Sequence, residues 1–177
     1  PELLTMIIPR HPIRANKIAK DLSKQGFIFS LRSSKEKINN STEIYIADTV
    51  GELGLFYRLS PIAFIGGTLI PHGGQNLLEA AKLDCAIVHG PSMTNFASIT
   101  EEITAAQGSI TIQSKTELPA AIISLLVDES RRKNQIVAAR RVADTKENIL
   151  EAIEKELDPI LDRTVLSQRQ PQSHARA

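Results

Sequence analysis

The segment FIGGTLIPHGGQNLLEAA, residues 64–81, holds four of the nine glycines of the chain, in two pairs around one histidine. The second pair, Gly73-Gly74, stands just before a predicted helix with Asn76 as its N-cap and Glu79 in its first turn. Free N–H groups at a helix start bind anions, and a nearby glutamate can accept hydrogen bonds from two ribose hydroxyls. The segment therefore predicts a nucleotide site, although two tight turns and a helix cap would use the same residues.

The loop PRHPIR, Pro9–Arg14, follows the first predicted strand and supplies positive charge. Its two prolines stiffen the backbone, and Arg10 and Arg14 could both point toward a bound anion. The alternative is that Arg14 begins a helix as an exposed cation and that His11 only fills the loop. The motif favours an anion-binding role for the two arginines and leaves the role of His11 open.

The loop HGPSMTNF, residues 89–96, follows the fifth predicted strand. Ser92, Thr94 and Asn95 could face the same ligand as the glycine loop, or Asn95 could cap the next helix. The chain contains neither a G-x-G-x-x-G nor a G-x-x-x-x-G-K-[ST] motif, so neither of these two phosphate-binding patterns is present. Glu52 pairs with Thr49 in a predicted capping box, and Cys85 is interpreted as a small buried apolar residue.

Short apolar segments alternate with helical patterns along the chain, which predicts a parallel sheet covered by helices on both faces. The fold class is therefore α/β, with a doubly wound, six-stranded, Rossmann-like sheet whose carboxyl edge carries the three loops. Helical periodicity continues from Lys115 almost to Leu161, and Ser167–Ala177 has no periodicity. The predicted strands are Leu3–Ile8, Phe27–Leu31, Glu43–Ala47, Ile62–Ile65, Cys85–Val88 and Ser109–Ile112.

The length, net charge and cysteine count of the chain exclude several classes of protein. The 177 residues suffice for one well-buried domain, and 42% of them are hydrophobic. A formal net charge of +1 argues against a dedicated nucleic-acid binder. The single cysteine excludes an internal disulfide and a cysteine-based zinc site, and it fits a reducing compartment. Because the chain begins with Pro1 just before a strand, we interpret it as part of a longer protein.

The three loops, together with ADTVGELGLFYRLSPIAFIGG before the glycine segment, resemble the bacterial 3-deoxy-D-manno-octulosonic acid (Kdo) transferases. The similarity runs from Leu3 to Leu161 and implies the carboxy-terminal, donor-binding half of a GT-B glycosyltransferase. On this basis residues 1–161 form the domain that binds the nucleotide sugar CMP-Kdo, and residues 162–177 form a disordered tail. The amino-terminal acceptor domain is expected to be absent from this chain.

The resemblance also implies roles for individual residues. Arg10 and Arg14 would give electrostatic support near the donor phosphate and the sugar carboxylate. The chain has Ile13 where the family usually has Glu, Gln75 where it has His, and Ala80 where it has Pro. Ile13 puts a polar role at that position in doubt. The expected substrate-binding residues are Pro9, His11, Gly66, Gly67, Thr68, Gly73, Gly74, Gln75, Asn76, Glu79 and Asn95.

The implied reaction transfers Kdo from CMP-Kdo to a lipid A precursor with inversion, in lipopolysaccharide biosynthesis. The family's general base is a glutamate of the amino-terminal domain, so no base is assigned here and this chain alone is expected to be inactive. No cofactor, metal or nucleic-acid partner is expected. The full-length protein is expected at the cytoplasmic face of the bacterial inner membrane, in peripheral contact with it, and the fragment is expected to be soluble.

Two rival functions remain open. A sugar-nucleotide epimerase-like domain would share the architecture and bind a uridine diphosphate sugar, and a non-catalytic nucleotide-binding module would use the loops as turns. A separate expectation concerns the end of the chain, where an apolar helical stripe could cross to the other domain or pack on its own sheet. That stripe consists of Ile149, Leu150, Ile153 and Leu157.

Overall fold

The computed structural model describes residues 3–146. They form six short strands joined by helices, in the order that the sequence predicts. The chain divides into two compact units at Pro61 and Ile62. The predicted tail and the predicted apolar stripe near the end of the chain lie outside the described residues.

The first unit contains a three-stranded parallel sheet with β3 in the centre. Its strands are β1 (Thr5–Ile7), β2 (Phe29–Leu31) and β3 (Ile44–Ile46), paired in the order β1-β3-β2. Side chains alternate along β3, so Ile44 and Ile46 pack with one apolar cluster and Tyr45 with another. Helix α1 (Ala15–Lys24) covers the first cluster through Ala15 and Leu22, and helix α2 (Leu53–Leu59) contributes Phe56 to the second.

The second unit contains a parallel sheet in the order β4-β5-β6, with β5 in the centre. Its strands are β4 (Ile62–Phe64), β5 (Ala86–His89) and β6 (Ser109–Thr111). All four residues of β5 are buried, as expected for a central parallel strand. The helices are α3 (Leu78–Lys82), α4 (Ala97–Ala105) and α5 (Leu118–Val127). Helix α5 packs Leu125 against Ala86, Val88 and Ile112.

The α/β class, the six strands and their parallel pairing are confirmed. The strands pair as two sheets of three, so the single six-stranded, doubly wound sheet is not what the hydrogen bonds show. Apolar periodicity marks where a strand lies but not which neighbour its edges bond, which explains the difference. The long helical prediction is interrupted at Asp128, whose backbone is extended. A second helical stretch, over residues 129–146, follows, and the Asp128 carboxylate accepts from the N–H of Arg131 at 2.9 Å.

Candidate active site

The glycine loop after β4 meets the loop after β5. The N–H of Gly73 donates to the Ser92 hydroxyl at 3.3 Å, and the N–H of Asn95 donates to the Gly73 carbonyl at 3.2 Å. Gly73 has φ +87°, and a Cβ at this position would lie 2.4 Å from Nδ2 of Asn95. The positive φ favours glycine at this position, and a Cβ would displace the Asn95 amide. The predicted residues Gly73, Gly74 and Asn95 are brought together at the carboxyl ends of β4 and β5, where parallel sheets bind ligands.

Thr68, which lies in the glycine loop, bonds to the loop after β5. Its side chain is fully buried, and its hydroxyl donates to the Ile65 carbonyl at 2.7 Å. The same hydroxyl accepts the N–H of Gly90 at 2.8 Å, while the Thr68 carbonyl accepts the N–H of Ser92 at 2.9 Å. These bonds use the hydroxyl's proton and one of its lone pairs. Thr68, expected as a substrate contact, therefore holds the loops in register from within the core.

His89 is the last residue of β5 and lies only 2% exposed. Its Nδ1 lies 2.7 Å from the Gly90 carbonyl, which can only accept, so Nδ1 carries the proton. Nε2 is then the acceptor, 3.2 Å from the Ser109 hydroxyl and 3.3 Å from that of Thr111. Burial lowers the pKa of the imidazole below its usual range, so the ring is neutral at neutral pH. Sequence reasoning treated His89 as the first loop residue; the available signal was a histidine directly after the apolar run CAIV.

The start of α3 differs from the prediction. The helix begins at Leu78, and the Asn76 side chain accepts the N–H of Leu78 at 3.0 Å. Asn76 thus bonds to the first helical N–H although it lies two residues before the helix begins. Helix α3 has only five residues, and one of its first N–H groups is already bonded, so its end attracts an anion less strongly than expected. Glu79 is exposed at the second helical position.

The arginine loop lies in the first unit and the glycine loop in the second. A 3₁₀ turn at Pro12–Arg14 follows β1, and the N–H of Arg14 donates to the His11 carbonyl at 3.0 Å. Arg10, His11 and Arg14 are exposed, and Ile13 is 84% exposed. The expectation that these arginines and the glycine loop serve one ligand stays a prediction.

A charged pair at the carboxyl edge of the first sheet was not predicted. Arg32, directly after β2, binds the Glu52 carboxylate through two nitrogens, with Nη2–Oε1 at 2.5 Å and Nε–Oε2 at 3.2 Å. The Thr49 hydroxyl also donates to Glu52. Hydrogen bonds from Arg32 and Thr49 lower the pKa of Glu52 to about 2. The capping-box interpretation is wrong, because α2 begins at Leu53 and the Glu52 carboxylate makes no cap hydrogen bond.

Cys85 is fully buried, as predicted, and burial raises the pKa of its thiol to about 12. The thiol is therefore protonated at neutral pH and does not act as a nucleophile. Within residues 3–146 no group of three His, Cys, Asp or Glu side chains is arranged to hold a metal ion. In that part of the chain no helix is both long and apolar enough to span a membrane.

Comparison with solved structures assigns the family. The chain superposes with a TM-score of 0.77 and 31% identity on the C-terminal CMP-Kdo binding domain of WaaA from Acinetobacter baumannii, covering 80% of this chain and 74% of that one. This chain belongs to the Kdo transferase family. This member of the Kdo transferase family also matches the C-terminal domain of a group 1 glycosyl transferase, LpcC, from Francisella tularensis. That match has a TM-score of 0.55 at 15% identity, covers 78% of this chain and 65% of that one, and shows the fold alone.

Two curated Kdo transferases agree with this assignment. The chain is 35% identical over 166 residues to 3-deoxy-D-manno-octulosonic acid transferase of Haemophilus influenzae, covering 93% of this chain and 39% of the relative. It is 40% identical over 130 residues to a probable mitochondrial Kdo transferase of Arabidopsis thaliana, covering 71% of this chain and 29% of the relative. The chain thus spans well under half the length of these relatives. No protein-family model matches it.

Proposed function

We propose that this chain is the donor-binding half of an inverting Kdo transferase and that its ligand is CMP-Kdo. The observation that carries the proposal is the junction of Gly73 with Ser92 and Asn95 at the carboxyl ends of β4 and β5. This junction occurs in a chain of the Kdo transferase family, and a structural relative is named as a CMP-Kdo binding domain. The ligand named for that relative favours a cytidine nucleotide over a uridine diphosphate sugar.

Each loop has a proposed role at the donor. The turn Gly73–Asn76 holds the phosphate while the N–H of Gly73 stays bonded to the Ser92 hydroxyl, since helix α3 is too short to hold an anion by its dipole alone. Glu79 is exposed close to this turn and accepts hydrogen bonds from the ribose hydroxyls. Asn95 lies beside the sugar.

The remaining candidates act around these contacts. Arg10 and Arg14 stabilise the phosphate as it leaves, an electrostatic contribution to the transfer. Gly66, Gly67 and Gln75 shape the loop, Pro9 and His11 hold the arginine loop, and Thr68 acts from the core by joining the two loops after β4 and β5.

The finer features of the family belong to the same proposal. They are a domain of residues 1–161, the GT-B arrangement of two domains, and a catalytic base in the amino-terminal domain. The acceptor would be a lipid A precursor. The full-length enzyme would act at the cytoplasmic face of the inner membrane.

Replacement of Glu79 tests the ribose contact. We expect Glu79→Ala to weaken CMP binding by about 1–3 kcal/mol, because the variant loses charged hydrogen bonds to the nucleotide. Isothermal titration calorimetry with CMP, UMP and AMP measures both the affinity and the choice of base. Glu101→Ala is the matched control, since Glu101 is an exposed glutamate on α4, outside the three loops.

The titrations also separate the rival functions. Tighter binding of UMP or a uridine diphosphate sugar than of CMP would support an epimerase-like domain and contradict the proposal. Equal CMP affinities for Glu79→Ala and wild type would remove the ribose role of Glu79.

A further inference from the structure

Four hydrogen bonds, connected through the covalent bonds of Gly90, Thr68 and Ser92, run from the interior of the second sheet to the glycine turn. The His89 ring donates to the Gly90 carbonyl, and the Gly90 N–H donates to the Thr68 hydroxyl. The Thr68 carbonyl accepts the N–H of Ser92, and the Ser92 hydroxyl accepts the N–H of Gly73. A buried imidazole is thereby linked, without an intervening apolar contact, to the turn assigned to the donor phosphate.

Gly90 is the residue on which these contacts converge, because its backbone makes two hydrogen bonds and lies against the backbone of Thr68. A Cβ on Gly90 would lie 2.3 Å from the Thr68 carbonyl oxygen, so the two loops are in contact through their backbones. The N–H and the carbonyl of Gly90 are both bonded, one to Thr68 and the other to Nδ1 of His89. A buried carbonyl that loses its donor must rotate to find another, because leaving it unpaired is unfavourable.

The hydrogen bonds at Nε2, the other ring nitrogen of His89, favour the tautomer that carries its proton on Nδ1. Nε2 lies within hydrogen-bond distance of the hydroxyls of Ser109 and Thr111, both on β6, and these can donate to it. Donation to Nε2 keeps the proton on Nδ1, where the Gly90 carbonyl requires it. The ring therefore connects β6 to the loop after β5 in one tautomer.

We infer that His89 is a positioning residue of the donor site, which sets the orientation of the Gly90 peptide and thereby the approach of the Ser92–Asn95 segment to the Gly73 turn. The inference rests on the proposed function, because it assigns the turn to the donor nucleotide. His89 itself is buried and does not touch the nucleotide. A core histidine with no such role would fill space only, and an apolar side chain would replace it without effect on the loops.

Two substitutions separate positioning from space filling. The amide nitrogen of Asn takes the place of Nδ1, so His89→Asn keeps a donor for the Gly90 carbonyl, whereas His89→Leu keeps the apolar volume and removes the donor. We expect the amides of Ser92, Gly73 and Asn95 to exchange with solvent roughly tenfold faster in the Leu variant and near the wild-type rate in the Asn variant. The amide of Ile65, bonded to Val88 in the same sheet, should be unchanged in both.

Binding of CMP provides the functional measurement on the same three proteins. The Leu variant should bind CMP roughly tenfold more weakly and the Asn variant within about threefold of wild type, the effect of one lost hydrogen bond transmitted to the turn. Equal exchange rates at the three loop amides in the Leu and Asn variants would overturn the inference, as would a Leu variant that binds CMP like wild type.

A measurement on the unmodified chain covers the case in which a variant does not fold. Long-range ¹H–¹⁵N spectra of the imidazole report which nitrogen carries the proton, and Nδ1 is expected. A proton on Nε2 would overturn the inference without any substitution. If the wild-type chain fails to bind CMP, the proposed function is contradicted, while the exchange rates and the tautomer still decide whether His89 orients the loops.

Discussion

The pair of Arg32 and Glu52 illustrates how single side chains gain a role through distant partners. The guanidinium binds both carboxylate oxygens, the geometry that gives arginine pairs their strength. The side chains are 38% and 30% exposed, so water and salt weaken the attraction. The pair joins the end of β2 to the segment that leads into α2, across 20 residues of sequence. It therefore holds the carboxyl edge of the first sheet together.

The depressed pKa of Glu52 predicts a pH dependence of stability. In the folded state this pKa is about 2, against an ordinary 4.5, so the carboxylate stabilises the fold above pH 4.5 and loses that contribution as the pH falls toward 2. We expect Glu52→Gln to lower stability at neutral pH and to flatten its decline in this acidic range. Urea unfolding midpoints measured from neutral pH to about pH 2 test this. The control is Glu101→Gln, a substitution of an exposed glutamate. A Glu52→Gln profile parallel to wild type would contradict the assignment.

At the scale of elements, the turn after β5 is held by backbone contact. The Gly90 N–H and the Ser92 N–H both bond to Thr68, so the ends of β4 and β5 are joined beyond their own ladder. This fits a site whose loops must keep their positions while a ligand binds and leaves.

Two glycine substitutions test this close approach. Gly90→Ala should lower the free energy of unfolding by about 1–3 kcal/mol or more, because its Cβ would collide with the Thr68 backbone. Gly66→Ala is the matched control, since nothing lies within 4 Å of a Cβ there, and a change within about 0.5 kcal/mol is expected. Urea denaturation followed by circular dichroism gives both values. Equal stabilities for the two variants would show that the loops are free to separate.

At the scale of the whole molecule, the question is which part of the reaction these residues can perform. The loops 9–14, 66–76 and 89–96 contain no aspartate or glutamate, so none of them offers a carboxylate base for an acceptor hydroxyl. Glu79, beyond the second loop, is assigned to the ribose. In the proposed enzyme a carboxylate base for the acceptor hydroxyl would therefore lie outside these three loops.

We accordingly expect the 177-residue chain to bind CMP and not to transfer Kdo. A ligand at about 100 times its dissociation constant stabilises a fold by about 2.7 kcal/mol, so CMP should raise the melting temperature measurably and UMP should not. Incubation with CMP-Kdo and a lipid A precursor, followed by mass spectrometry, tests transfer. Turnover by this chain would mean that one of its own residues serves as the base.

Several conclusions followed from sequence because they rest on local patterns. The six strands, the loops at their carboxyl ends and the burial of Cys85 are encoded in apolar runs of a few residues and the turns between them. PRHPIR, ADTVGELGLFYRLSPIAFIGG, the glycine segment and HGPSMTNF, taken together in this order, also indicated the family. A strand's position and a motif's spacing can be read along the chain without knowing what packs against them.

Only the tertiary structure decided which residues are partners. Thr68 meets Gly90 across 22 residues, Arg32 meets Glu52 across 20, and His89 at the end of β5 meets Ser109 on β6 across 20. Glu52 fitted a capping box as well as an ion pair, and the guanidinium that competed for its carboxylate is distant in sequence. The pairing of the strands into two sheets was decided in the same way. Hydrogen bonds and burial depend on distances between segments that fold next to each other, and those distances have no period in the sequence.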